Sequence, residues 1–190
     1  MAEPEHDLWI VRHGETAWSR AGCHTGRTDV PLTDAGVAQA TAVGARLAGH
    51  AFATVLSSPL RRAWDTCRLA GFGAVARPSE DLLEWDYGAY EGRTSAEIRA
   101  EVPGWTIWAS GVAQGETIEA VAARARRAIA ASLAGPGDAL LVSHGHLLRI
   151  LAACWLGLPP RDGRLLVLST ASVGVLGHEH GTRVLSAWNT

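Results

Sequence analysis

Hydrophobic residues in this chain follow two patterns: short unbroken apolar runs, and longer stretches in which apolar positions recur every three or four residues. Leu8-Trp9-Ile10-Val11 is a run of the first kind, ends at Arg12-His13-Gly14, and predicts a short strand buried on both faces. Ala53–Ser57 and Ala139–Ser143 repeat the pattern, and the latter runs into His144-Gly145-His146. Helical spacing follows Pro31-Leu32-Thr33-Asp34, with Thr33 as N-cap, Val37, Ala40, Val43 and Leu47 on one face, and Gly49 as the stop. A second helix is expected from Ser58-Pro59, with Pro59 at its first position, to about Ala70 and Gly71. A third is expected from Thr117 to Leu133, with Arg124, Arg126 and Arg127 on its solvated face, and a fourth over the apolar Leu147–Leu156.

Between these elements, residues 14–29 are polar and glycine-punctuated, a loop with room for one helical turn. Val75–Leu83 holds one short strand in this reading. Residues 84–115 are irregular and aromatic-rich, and read as a lid insertion folded over a crevice. Leu165–Leu168, Ala171–Leu176 and Arg183–Trp188 predict three late strands with no helix between them, so some of them pair antiparallel. The expected fold is α/β, a three-layer α/β/α sandwich with a mostly parallel central sheet, antiparallel late strands and the lid. Its 190 residues are expected to form one catalytic domain spanning 1–190.

Composition narrows the function classes. A net charge of −2 provides no broad basic field, so neither nucleic acid nor an anionic membrane is expected as a partner, and any anion site is local. Self-association into a homo-oligomer is left open. The three cysteines, Cys23, Cys67 and Cys154, are odd in number and far apart, which fits reduced thiols better than a disulfide framework. With an acidic, polar N-terminus unlike a signal peptide and no apolar run of membrane length, a cytoplasmic protein is expected.

The candidate chemistry sits where apolar runs end. Ligands of open α/β sheets lie outside the carboxyl ends of the strands. Arg12 and His13 would reach that crevice together, with His144 delivered from a second strand at the start of a helix, where amide groups favour an anion. A guanidinium fork matches phosphate oxygens, and an imidazole can attack phosphorus. The pairs His144-x-His146 and His178-x-His180 look like metal ligands, but no HExxH, DxD or cysteine-rich spacing completes a site, so no metal or other cofactor is expected.

Four segments in order carry a family resemblance. Arg12-His13-Gly14-Glu15-Thr16-Ala17-Trp18, with Thr25-Gly26 and Pro31-Leu32-Thr33 beyond it, resembles the N-terminal signature of the histidine phosphatase (phosphoglycerate mutase-like) superfamily. Ser58-Pro59-Leu60-Arg61-Arg62-Ala63, Glu84-Trp85-Asp86-Tyr87-Gly88 and Val142-Ser143-His144-Gly145 resemble its second, third and fourth motifs. The resemblance implies that His13 becomes phosphorylated, that Arg12, Arg62 and His144 hold the transferred oxygens, and that Glu84 gives the leaving alcohol its proton. It further implies substrate contacts at Thr25, Gly26, Tyr87 and Gly145. Ser19 stands where the family commonly has Asn, so a shorter and weaker phosphate contact is expected there. The branch resembled contains broad-specificity acid phosphatases and sedoheptulose bisphosphatase-like enzymes.

The expected activity is therefore metal-independent hydrolysis of small phosphorylated metabolites through a phosphohistidine. A mutase of the same family is the nearest rival. Such enzymes hold the far end of a phosphoglycerate with basic lid residues, yet no basic residue lies between Arg99 and Arg124, and Trp105, Ile107 and Trp108 stand there instead. A phosphopeptide phosphatase and a catalytically silent phosphate-binding module are more distant rivals.

Overall fold

A computed structural model of the chain describes residues 6–190; the acidic N-terminal segment lies, through residue 5, outside the described residues. In chain order the elements are β1 (Leu8–Arg12), α1 (Ala17–Ala21), α2 (Asp34–Leu47), β2 (Thr54–Ser57), α3 (Arg61–Cys67), β3 (Arg77–Pro78), α4 (Ser95–Glu101), α5 (Ile107–Ser110), α6 (Ile118–Ser132), β4 (Ala139–Ser143), α7 (Gly145–Trp155), β5 (Val173–Glu179) and β6 (Thr182–Ala187). Six strands form one sheet in the order β3-β2-β4-β1-β5-β6. The β1–β4, β2–β4 and β2–β3 pairs are parallel, whereas β1–β5 and β5–β6 are antiparallel. The expected mixed α/β architecture is thus present.

The unbroken apolar runs are unbroken because both faces of the sheet are covered. Leu8 and Ile10 of β1 and Leu141 of β4 pack with α6, α7 and the aromatic segment on one face. Val11, Leu140 and Val142 pack with α2 and α3 on the other. Burying each such side chain contributes roughly 1.5–3 kcal/mol. The parallel register sets Arg12 opposite Ser143, so the next residues, His13 and His144, leave the sheet side by side.

Four local expectations are corrected. The helix after β2 begins at Arg61 and not at Pro59, because Ser58 still bonds to Val142 as strand and Leu60 is the N-cap with extended backbone. Its first amides are met from a distance: the Arg61 amide donates to Asp29 Oδ1 at 2.8 Å. Past Cys67 the helix widens into a five-residue π-type turn, Arg68–Phe72, which Gly71 breaks at a φ of 96°. Leu165–Leu168 is not a strand: Pro160–Leu165 is a 3-10 turn, and the Leu168 and Val167 carbonyls accept from Arg12 Nη1 and Trp188 Nε1 rather than from a neighbouring strand. The following strand starts at Val173, two residues later than expected, after Ala171 at a φ of 54°.

The fourth correction is Arg124, expected on a solvated face. It bridges Glu116 and the carbonyls of Asp81, Leu83 and Glu84, pinning the start of the aromatic segment to α6. Trp105 and Ile107 of that segment are buried in the core rather than open to the crevice. No helix among the described residues is long and apolar enough to cross a membrane.

Candidate functional site

His13 leaves β1 into a buried position, and its Nδ1 lies 2.7 Å from the Gly14 carbonyl oxygen. A carbonyl can only accept, so the proton resides on Nδ1 and Nε2 carries a bare lone pair. Burial, with the Arg12 and Arg62 cations beside the ring, holds its pKa well below the usual histidine value. The imidazole is therefore neutral and nucleophilic. Gly14 itself is fixed by the Thr66 hydroxyl, which accepts from its amide at 3.0 Å. A Cβ at Gly14 would come within 2.4 Å of the Gly36 carbonyl, so no larger residue fits that turn.

The His144 ring stands 5.2 Å from that of His13, centroid to centroid, and is fully buried. Arg62 Nε donates to His144 Nδ1 at 3.1 Å, which leaves the His144 proton on Nε2, directed to Ser58 Oγ at 2.8 Å. Burial, then Arg62, His13 and Arg12, pushes its pKa well down. The rest of the Arg62 guanidinium is held by the carbonyls of Thr25, Gly26 and Thr28. That arginine is wholly inside the protein, and burial lowers its pKa while Glu84 and Tyr87 oppose the shift.

Arg12 lies across the start of α7. A Cβ on Gly145 would sit 3.3 Å from Arg12 Nε, so glycine there lets the guanidinium rest against the helix. Arg12 Nη1 donates to the Leu168 carbonyl at 2.6 Å, and its buried Nε has no hydrogen-bond partner among the described residues. A buried donor without a protein partner is one that a water or an anion would satisfy. Burial lowers the Arg12 pKa, and Glu84 and Tyr87 act against it.

Glu84 closes the arrangement. Its Oε1 accepts from the amides of Trp85 and Leu147 at 2.9 Å, and its Oε2 accepts from the amide of His146 at 3.0 Å. Two of those amides belong to the first turn of α7, whose N–H groups have no partner within the helix. Oε2 makes one bond against two at Oε1, so it retains room for a proton.

These groups surround a cavity of about 180 Å³ bordered by Arg12, His13, Glu84 and Tyr87, with Ser19, Thr25 and Gly145 at its edge. Arg62 and His144 stand behind this wall. Gly26 is not at the cavity: its amide donates to the Glu91 carboxylate and its carbonyl holds Arg62, so it supports the site and offers no free group to a ligand. Ser19 Oγ is also engaged, accepting from the Thr16 amide at 2.9 Å and donating to the Thr16 carbonyl at 3.0 Å. The Tyr87 hydroxyl is hydrogen-bonded to His146 Nδ1 at 2.6 Å, and burial with Glu84 nearby raises its pKa well above the usual value.

Among the other cavity residues, His24 and Arg149 were not expected at the site, and His146 was weighed there only as a metal ligand. His146 and Arg149 share the α7 face that carries Gly145, a spacing visible in the sequence once the helix is drawn. His144 and His146 do not converge, since one bonds to Arg62 and Ser58 and the other to Tyr87.

Residues 8–190 match the family model of the histidine phosphatase superfamily (branch 1). The chain is 43% identical to an acid phosphatase of Mycobacterium tuberculosis, over 98% of this chain and 93% of the relative. It is 35% identical to sedoheptulose 1,7-bisphosphatase of Saccharomyces cerevisiae, over 78% of this chain and 67% of the relative. A protein of Erwinia tasmaniensis named "Probable phosphoglycerate mutase GpmB" is 33% identical, over 95% of this chain and 89% of its own. The solved structure of an open reading frame of Mycobacterium tuberculosis superposes with a TM-score of 0.92 at 42% identity, covering 97% of each chain.

Proposed function

The chain belongs to the histidine phosphatase superfamily and is a phosphatase of that family, and from this we propose that it hydrolyses small phosphorylated metabolites through a covalent phosphohistidine on His13. The observation that carries the reading is the bare Nε2 of His13, set by the Gly14 carbonyl and flanked by cations. The Nε2 lone pair attacks phosphorus as the P–O ester bond breaks, and the departing alkoxide takes a proton from Glu84 Oε2. Arg12 stabilises charge on the equatorial oxygens from the cavity wall, and Arg62, hydrogen-bonded to His144 behind that wall, adds its positive field, the work a metal ion does in other phosphoryl-transfer sites. Water then attacks phosphorus as the P–N bond breaks, Glu84 accepts its proton, and inorganic phosphate leaves with Nε2 restored.

The size of the cavity supports a small ester over a folded phosphoprotein. The names of the two phosphatase relatives point the same way, the yeast one to a sugar phosphate. Water as the acceptor is supported by the stretch between Arg99 and Arg124, which has no cation to retain a substrate while it turns over. Rapid quench with labelled substrate is expected to trap an acid-labile, alkali-stable phosphoenzyme in the wild type and none in His13→Ala. Label found only on a carboxylate or hydroxyl of a wild type that turns over would overturn the reading.

A further inference from the structure

Arg62 is a buried cation held without a direct counter-ion. Its four hydrogen bonds reach the carbonyls of Thr25, Gly26 and Thr28 and the Nδ1 of His144, with no carboxylate among them. A buried charge that loses its acceptors is strongly destabilised. Yet the three carbonyls come from residues 25–28, which belong to no helix or strand. Something outside that stretch has to keep them turned toward Arg62.

The Glu91 carboxylate sits on the other side of this loop. Its Oε1 accepts from the Gly26 amide at 2.8 Å and from the Thr28 amide at 3.1 Å, and its Oε2 accepts from the Gly26 amide at 3.0 Å. The Thr25 carbonyl and the Gly26 amide are two ends of one trans peptide group, and they point in opposite directions. That group therefore lies between two charges, its carbonyl accepting from Arg62 and its N–H donating to Glu91. Its dipole, about 3.5 D, is aligned by both. A Cβ on Gly26 would come within 2.7 Å of Glu91 Oε2 and 2.5 Å of the Trp85 carbonyl oxygen, so glycine lets the loop close on the carboxylate.

We propose that Glu91 is a positioning residue: it holds the 25–28 loop so that the loop carbonyls fix Arg62 and, through Arg62, the His144 ring. The role rests on the phosphatase reading above and adds to it a residue that does not line the cavity. An anion placed behind a peptide group orients the guanidinium without occupying any of its N–H groups. The two segments are also joined independently of the carboxylate, since the Gly92 amide donates to the His24 carbonyl at 2.8 Å and the His24 amide to the Arg93 carbonyl at 2.9 Å. Removing the carboxylate is thus expected to loosen the loop beyond His24 and leave the fold in place.

Single-turnover phosphorylation by an aryl phosphate, with proton exchange at the Arg62 side chain, tests this. Glu91→Ala is expected to slow phosphorylation at least about 10-fold, the effect of a small displacement of a group at the reacting centre. Glu91→Gln keeps an oxygen for both amides and is expected to stay within about 3-fold of the wild type. With Arg62 replaced by Met, Glu91→Ala should cost less than about 2-fold further, because the loop then has no guanidinium to fix. A Glu91→Ala enzyme with the wild-type rate overturns the proposal, as does a Glu91→Gln variant as slow as Glu91→Ala, or losses that multiply in the double variant. Exchange of the Arg62 Nε proton, followed by NMR, needs no turnover. It should quicken at least about 10-fold in Glu91→Ala and return toward the wild-type rate in Glu91→Gln, and unaltered exchange in Glu91→Ala likewise overturns the proposal. A wild type that hydrolyses nothing yet shows this exchange pattern refutes the phosphatase reading and leaves the positioning role standing.

Discussion

A carboxylate that accepts three backbone amides is locked in orientation, and Glu84 is locked where it borders the cavity. Its value as an acid depends on how poor the leaving group is. Glu84→Gln should slow single-turnover hydrolysis of an alkyl phosphate by roughly 10²–10⁴-fold, while a nitrophenyl phosphate, whose phenolate leaves unaided, loses far less. Equal losses on both would make Glu84 a binding residue. At this scale much of the site was legible. Arg12, His13 and His144 could be read because apolar runs end at them, and Arg62 and Glu84 through their motif neighbours. Gly26 was misplaced because a motif position does not say which way a backbone group points. Arg149 was missed because its fixity comes from Trp108, 41 positions away in sequence and joined to it by the fold.

Among the elements, local capping chemistry was readable and remote capping was not. Thr33 caps α2 and Thr117 caps α6 with side chains their own sequence supplies. The start of α3 was misjudged because its cap, Asp29, comes from 32 positions back. In α1 the residue that completes the capping box around the N-cap Thr16 is also a candidate substrate contact. Ser19 and Thr16 form a reciprocal capping box, so Ser19 Oγ must leave that box to reach a phosphate. Ser19→Ala should accordingly cost about 1 kcal/mol of folding stability, the net worth of the hydrogen bonding its hydroxyl makes to Thr16, while kcat/KM changes by less than about 3-fold. A chemical-denaturation midpoint that stays put while kcat/KM collapses would show the hydroxyl serving substrate instead.

The whole molecule carries its buried imidazoles as a dependence of stability on pH. His13 and His144 have folded-state pKa values held well below the unfolded value, first by burial and then by neighbouring cations. As pH falls below about 6.5, the unfolded chain takes up protons that these residues refuse. Stability is therefore complete above that pH and lost below it, by up to about 1.4 kcal/mol per pH unit for each ring. Cys67 works from the other side. Burial raises its thiol pKa to about 12, so it stays protonated while the unfolded thiol ionises above about 8.5, and stability falls as pH rises past that point. Melting temperatures measured from pH 5 to pH 10 should show a plateau near neutrality with a decline on each side. A Tm constant from pH 8 to pH 5 would mean that the buried rings protonate in place.

The β1–β4 register joins residues more than a hundred positions apart, Arg12 beside Ser143, and the two histidines stand just past that seam. An oxyanion bound against His13, with His144 directly behind, would act as a clasp across the two central strands, because parting them would break the site that holds it. Saturating vanadate or phosphate should slow amide hydrogen exchange in β1 and β4 together, by the factor its free concentration and dissociation constant set. The β5–β6 hairpin, closed by its own two-residue turn at His180-Gly181, should exchange from its outer edge at an unaltered rate. Slowing confined to the loops around the cavity would show that the anion rests on the surface of the fold and does not fasten its middle.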